Sequence, residues 1–474
     1  MIARMVRIET RRNAALWLCP LMVVLALLLQ SPLRWSELMA RLLLWAEASK
    51  IMHDTVYIIG PVVAGAAAWM GGRERRRHIE DLLVTTPHPA WTRRMVTWTA
   101  TTMWALLAYF VVIAVVAALT LMHAVWGGPV LWPVLVGVAA LPACAAIGYA
   151  LGAFLPSRFT APFAVIVVFM ALFIVGPGLN SSQAPRLAQS LSYLSPATNL
   201  DWSVWYGARP DVGLPQMLFL LGVTGVALGS LVLRSRRDRA DRAAWAVLLA
   251  GFLLGGAGIG VLVATAPVAA LVLGQQQRYG APIPYTPVCT TTPVTVCVHP
   301  AYRPWLARDA AIIARLMAPL RGVPGAPMRA EQRPDKTIGY DLEGVYGQTL
   351  TFVPNSNPMD QQFFGQIAYI LVNGDLYLYR SGYLPHCPGD PSGRLCSDTQ
   401  GAIDAYLLNQ AGLRLTPVTF GNQTPTYPYF GSDWAVASAA ARRFAALPSA
   451  QRQAWLHAHY RAVTQQRVPL KDLP

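Results

Sequence analysis

The chain has 474 residues, of which 54% are hydrophobic and 13% charged, with a formal net charge of +15. An ordinary soluble domain carries about 25% charged residues, so a soluble enzyme is excluded for much of the length. Arginine outnumbers lysine 35 to 3, a bias expected of a GC-rich bacterial genome, and the lysines are Lys50, Lys336 and Lys471. None of the three stands in a Gly-x-x-x-x-Gly-Lys-Ser/Thr loop, so this chain does not hydrolyse ATP by that route.

An apolar helical run of about 20 residues crosses roughly 30 Å of hydrocarbon. Such runs stand at 14–30, 51–70, 98–122, 130–154, 161–178, 214–233 and 244–268, predicting seven spans. The first follows a basic start, but Leu29-Gln30-Ser31-Pro32-Leu33 offers no Ala-x-Ala-like exit, so an uncleaved span is expected. With the N-terminus inside, the inner segments (Arg4 to Arg12, Arg73 to Arg94, Arg158, Arg234 to Arg242) hold sixteen basic residues. The outer loops hold five: Arg34, Arg41, Lys50, Arg186 and Arg209. That asymmetry satisfies the positive-inside rule. The basic excess is therefore topological, and nucleic acid drops out as a partner in favour of membrane lipid.

Between the second and third spans lies Gly71-Gly-Arg-Glu-Arg-Arg-Arg-His-Ile-Glu-Asp-Leu-Leu-Val-Thr-Thr-Pro-His-Pro89. Ile79, Leu82 and Leu83 fall at i, i+3 and i+4 and form one apolar stripe, with Arg76, Arg77, Glu80 and Asp81 on the other faces. Pro87 stops the helix. Read from the residues alone, this is either a solvated loop that sets orientation or a docking element offering an apolar knob to a partner.

Glu74-Arg75, followed by Ile79-Glu80-x-Leu82-Leu83-x-x-x-Pro87, resembles the coupling segment of ATP-binding-cassette exporter permeases of the type-2 class. The family has a Gly-Thr pair where this chain has Arg77-His78. A second similarity is Tyr193-Leu-Ser-Pro-Ala-Thr-Asn-Leu-Asp-Trp202 before the sixth run, where such permeases often carry a Ser-Pro-containing re-entrant or interfacial stretch. The resemblance covers about residues 1–235. It implies six spans per half, a second permease half (the same or a different chain), and separate cassette ATPase subunits on the cytoplasmic side. Glu74, Ile79, Glu80, Leu82, Leu83 and Pro87 would be the ATPase-coupling residues. The chain itself would need no cofactor, since ATP and Mg would be held by the partner ATPase.

The seventh run lies outside the resemblance. Its Gly251, Gly255, Gly256, Ala257, Gly258 and Gly260 include small-xxx-small spacings that predict close helix packing, within the bundle or across a dimer. Seven spans place everything after about 275 outside the cell. That tail, 276–474, is long enough for an α+β domain with its own core. Helical patterns stand at 304–319, 398–412, 432–446 and 449–464. Ala368-Tyr-Ile-Leu-Val and Asp375-Leu-Tyr-Leu-Tyr379 alternate about Asn373-Gly374, which predicts a hairpin.

Four of the six cysteines, Cys289, Cys297, Cys387 and Cys396, lie in the tail and allow three pairings. Local pairs Cys289–Cys297 and Cys387–Cys396 are preferred, because each closes a short Pro-containing loop and an oxidising exterior permits both. The spacings do not fit a C-x-x-C zinc knuckle. Neither His-Glu-x-x-His nor Gly-x-Ser-x-Gly occurs, and His457-x-His459 points its two rings apart on a helix. Asp341, Glu343, Asp375, Asp398 and Asp404 are the carboxylates that acid/base chemistry would draw on if they converge. No catalytic or metal set is named. Tyr427, Tyr429, Phe430 and Trp434 form the candidate outer binding patch.

Ion-coupled transporters usually carry an ionisable residue near the membrane midplane. Here His53, Asp54 and His123 stand only near the outer ends of runs, which argues for an external energy source. The reading is a helical membrane bundle of about seven spans (a six-span permease core plus one, 1–275) followed by an extracytoplasmic α+β domain (276–474). The expected function is the permease subunit of an ATP-driven exporter in a bacterial cell membrane. The alternative is a membrane-anchored binding or sensor module without transport.

Overall fold

Backbone amides find no water partner in hydrocarbon, so a chain of apolar runs must satisfy them internally as helices. The computed structural model has a helix in every one of the seven windows. It describes residues 2–30, 44–77, 90–179, 191–197, 204–207, 210–231, 241–272, 281–291, 293–333, 344–353, 359, 361–373, 394–413 and 434–474. Two compact units result, Met1–Ile283 and Pro284–Pro474.

The first unit opens with α1 (Ile2–Arg12) and α2 (Ala14–Gln30), bent by 62° relative to each other. It continues through α3 (Trp45–Gly71), α4 (Ala90–His123), α5 (Leu131–Phe154) and α6 (Thr160–Phe173). A π turn at Ile174–Gly178 follows α6, and α7 (Pro210–Gly229) and α8 (Asp241–Val272) complete the unit. Among the described residues, five helices are long and apolar enough to cross a membrane, or six if α1 and α2 count as one bent span. The α-helical part of α6 has 14 residues, about 21 Å at 1.5 Å per residue, so it is the short member. The outward surfaces of α2, α4 and α8 expose Leu28, Phe110 and Phe252 to what would be hydrocarbon.

Small residues set the helix spacing. A Cβ on Gly148 would lie 2.1 Å from the Ala64 carbonyl oxygen, and one on Gly152 would lie 2.0 Å from that of Ala68. Both pairs step by four residues, so α3 and α5 meet backbone to backbone along a small-xxx-small seam. A second seam joins α7 to α8. There Gly251 packs on Gly225 and Val226, and a Cβ on Gly222 would lie 2.4 Å from Gly255 N. The glycines of the seventh run thus serve packing inside the unit, although a Cβ on Gly256 or Gly260 would meet nothing within 4 Å among the described residues.

A short antiparallel pair, β1 (Tyr206–Gly207) with β2 (Ala281–Pro282), belongs to the same unit. The second unit carries a five-stranded sheet of β3 (Val288–Thr290), β4 (Thr295–Val298), β5 (Arg329–Gln332), β6 (Gly344–Tyr346) and β7 (Thr349–Phe352). Its order is β3-β4-β5-β7-β6, antiparallel at both ends and parallel at β4-β5-β7. The parallel step from β4 to β5 needs a crossover, supplied by a 3₁₀ turn and α9 (Leu306–Met317). Then come α10 (Gln361–Asn373), α11 (Arg394–Gln410), α12 (Trp434–Ala446) and α13 (Ser449–Thr464). Ile313, Leu350, Phe352, Phe363, Ile367, Leu371, Leu407 and Phe444 are among its fully buried core residues.

The first arm of the hairpin expected at Asn373-Gly374 is helical instead. Ala368–Val372 is the last part of helix α10, not a strand. Phe363, Phe364, Ile367, Ala368, Ile370 and Leu371 are all buried and fall at helical spacing, and a run buried all round shows no alternation that could separate strand from helix. Asp375–Tyr379 lies outside the described residues. The four other helical patterns of the tail match α9, α11, α12 and α13. The chain is a polytopic helical membrane protein with a C-terminal α+β region.

Candidate functional site

Helix α1 is strongly two-faced. Met5, Val6, Glu9 and Thr10 are half-buried, while Arg4, Arg7, Arg11 and Arg12 are exposed. Trp104 on α4 donates its indole N–H to the Thr10 carbonyl at 2.9 Å, and Thr97 Oγ1 lies 3.4 Å from Glu9 Oε1. Asn13 stands at the bend, 1% exposed. Its Oδ1 accepts from Ala15 N at 2.9 Å to cap α2, and its Nδ2 donates to Thr101 Oγ1 at 2.9 Å. These bonds hold α1 across the start of α4, with its arginines outward, as an interfacial helix would lie.

The chain leaves α3 through Gly71-Gly72 into a one-turn helix, Arg73–Arg76. Both glycines are forced by close approach to α5. A Cβ on Gly71 would lie 2.4 Å from the Tyr149 carbonyl oxygen, and one on Gly72 would lie 3.0 Å from that of Gly152. Arg73 Nη2 pairs with Glu9 Oε1 at 2.9 Å, which ties the segment to α1. Glu74 Oε1 lies 3.9 Å from Arg93 Nε, so its two arms are bracketed by one ion pair before α4 continues. Arg94 Nη1 donates to the Leu231 carbonyl at 3.1 Å, just beyond α7. The guanidinium of Arg76 stacks 4.2 Å over the Trp69 ring and donates to the Trp69 carbonyl.

Of the six expected coupling residues, the structure describes Glu74. Ile79, Glu80, Leu82, Leu83 and Pro87 lie outside the described residues. Sequence reasoning missed Glu9, Gly71 and Gly72. A lone acid in a helix of four arginines and a Gly-Gly step at the end of a span were the signals that could have found them.

The Ser-Pro stretch packs about 21 Å away along α3, the rise of the fourteen-residue step from Tyr57 to Gly71. Ser192, Tyr193, Leu194, Ser195 and Ala197 are buried. Tyr57 on α3 donates to the Ala197 carbonyl, and Gln216 on α7 donates to the Ser195 carbonyl. Ser195 Oγ accepts from Ala197 N at 3.2 Å and lies 3.4 Å from the Leu172 carbonyl of α6. Irregular backbone at membrane depth is stable only when satisfied in this way.

In the second unit, Cys289 and Cys297 face each other across β3 and β4 and form a disulfide. Cys387 lies outside the described residues, and with it the pairing expected with Cys396. His299 is buried; its Nδ1 caps the following 3₁₀ turn at 3.1 Å from Ala301 N, and Gln332 Oε1 accepts its backbone N–H at 2.7 Å. Burial pushes its pKa down to about 4, which leaves the ring a neutral structural acceptor. His459 stacks on Trp455 on α13, and His457 is exposed. Among the described residues no three His, Cys, Asp or Glu side chains gather around a common point.

Asp309 on α9 is buried, and burial raises its carboxyl to about 6 against the lowering effects of Arg308 and the Met359 backbone. Asp404 is buried on α11 and Asp398 half-buried, six residues earlier. Asp341, Glu343 and Asp375 lie outside the described residues, as do Tyr427, Tyr429 and Phe430; Trp434 opens α12.

A scan of protein-family models, a search of curated proteins and a search of solved structures each find no match to this chain.

Proposed function

We propose that the chain is the membrane-spanning subunit of an ATP-driven exporter of the cassette class, with ATP and Mg held by a separate ATPase. The observation that carries this reading is the segment Glu74-Arg75…Ile79-Glu80-x-Leu82-Leu83…Pro87 between the second and third spans. The sixteen-to-five distribution of basic residues supports a cytoplasmic position for that segment and an extracytoplasmic one for the second unit.

The local geometry supports the mechanics. A push on the apolar stripe of Ile79, Leu82 and Leu83 would be delivered to a base that has little room to yield. Gly71 and Gly72 sit against the α5 backbone, and Glu74–Arg93 links the two arms. Motion would therefore pass to α3, α4 and α5 together instead of being absorbed in the loop. A second permease half, a copy of this chain or another, would complete the path.

Tagged chain is purified from its native membrane in mild detergent, and the accompanying proteins are identified by mass spectrometry. The reading expects a cassette ATPase with the wild type and its loss with Leu82→Arg/Leu83→Arg. An intact, inserted chain that brings down no ATPase removes the energy source and leaves the sensor reading in its place.

A further inference from the structure

A cavity of 480 Å³ opens where α1, the start of α2, the end of α3 and the Arg73–Arg76 turn meet. This falls within the about 300–1,000 Å³ typical of small-ligand sites. Among the described residues, Arg12, Arg73, Arg76 and Arg77 line it together with Trp17 and Trp69, against one carboxylate, Glu9. Glu9 is already engaged by Arg73 at 2.9 Å, and Arg76 is fixed in place over Trp69. Arg12 and Arg77 are exposed. Like charges gathered around one cavity repel unless an anion joins them, and the planar fork of arginine matches phosphate oxygens in pairs.

Depth in the membrane narrows the choice of anion. Ala14 and Trp17 belong to the first turn of α2 and Trp69 and Met70 to the last turn of α3, so the cavity lies where two helices end at the same membrane surface. Tryptophan is favoured at that level. From Trp17, itself 81% exposed, an apolar stripe continues down the outside of α2 through Leu21, Val24 and Leu28. Their spacing of four, three and four residues keeps all four on one helix face. A phosphate in the cavity would thus have a track for an acyl chain directly beneath it.

We propose that this cavity binds the headgroup of an anionic phospholipid, with Arg12, Arg76 and Arg77 on the phosphate and the acyl chain along α2. The assignment does not depend on the exporter reading and needs no ATPase.

The test uses full-length chain in neutral detergent, titrated with dioleoyl phosphatidylglycerol, dioleoyl phosphatidylcholine or inorganic phosphate and read by native mass spectrometry. Wild type is expected to bind phosphatidylglycerol at least tenfold more tightly than phosphatidylcholine. Arg12→Gln/Arg77→Gln is expected to lose about thirtyfold, from roughly 1 kcal/mol for each arginine near a charged headgroup. If the double variant does not fold, the single variants carry the test at about fivefold each. Arg158→Gln, an exposed arginine between α5 and α6, is expected to leave binding unchanged. Equal binding of the two lipids, or an equal loss in Arg158→Gln, overturns the site. Inorganic phosphate bound as tightly as phosphatidylglycerol overturns the lipid as its ligand.

Discussion

Replacing Gly152 with alanine adds one methyl group at the tightest point of the α3–α5 seam. The new Cβ would lie 2.0 Å from the Ala68 carbonyl oxygen and 2.7 Å from its Cα and carbonyl carbon, all backbone atoms that cannot rotate away. Ordinary contact begins at 3.4 Å, so the two helices must part by more than an ångström along a seam that Gly148 and Ala64 also share. Overpacking of this kind costs about 1–3 kcal/mol, and the gap opened beside it forfeits a quarter to a half of each neighbouring dispersion contact. At about 2–4 °C per kcal/mol for a unit of this size, the midpoint of thermal unfolding in detergent should fall by roughly 5 °C. Gly256→Ala is the matched control: the same methyl group on α8, where nothing among the described residues lies within 4 Å. It should leave the midpoint unchanged or raise it slightly. Equal midpoints for the two variants would refute the seam.

Two further predictions concern the second unit. Cys289→Ser/Cys297→Ser opens a loop of eight residues' separation and should cost about 2.5 kcal/mol, seen as faster hydrogen exchange in β3 and β4; unchanged exchange would show that the bond is dispensable. Asp309 has its folded pKa raised from 3.8 to about 6, so the folded state binds the extra proton between those values. Stability from this group is complete below 3.8 and is lost as pH rises through about 6, by up to about 3 kcal/mol. Asp309→Asn, neutral throughout, should slow hydrogen exchange in α9 at pH 8 and flatten its pH dependence; a variant that exchanges faster at pH 8 would contradict this.

What could be read from the chain before its structure follows from the range of the forces involved. Long apolar runs and helical stripes are local, so all seven windows and the four tail helices α9, α11, α12 and α13 carry their own signal. Ala368–Val372 did not, because burial on every side erases the alternation that would tell strand from helix. The Cys289–Cys297 bond was legible since its partners are eight residues apart and the loop between them is short. Glu9–Arg73 was not: its members are brought together only by the bend at Asn13 and the return of α3. The glycine seams were half legible, since sequence shows small residues at the right spacing but not which helix they meet. The charges of the segment after α3 were plain, while the cavity beside it needs Arg12 and Arg77 from separate turns.

The exporter reading stands or falls on what touches the stripe of Leu82 in the living membrane. A photo-crosslinking amino acid placed at Leu82, irradiated in intact cells, reports its neighbour without detergent. The account predicts a covalent adduct to a cassette ATPase, absent when the same probe stands at Trp126 beyond the opposite end of α4. An adduct at Leu82 only to lipid or to another copy of this chain, with the protein correctly inserted, would contradict the claim that an ATPase drives it.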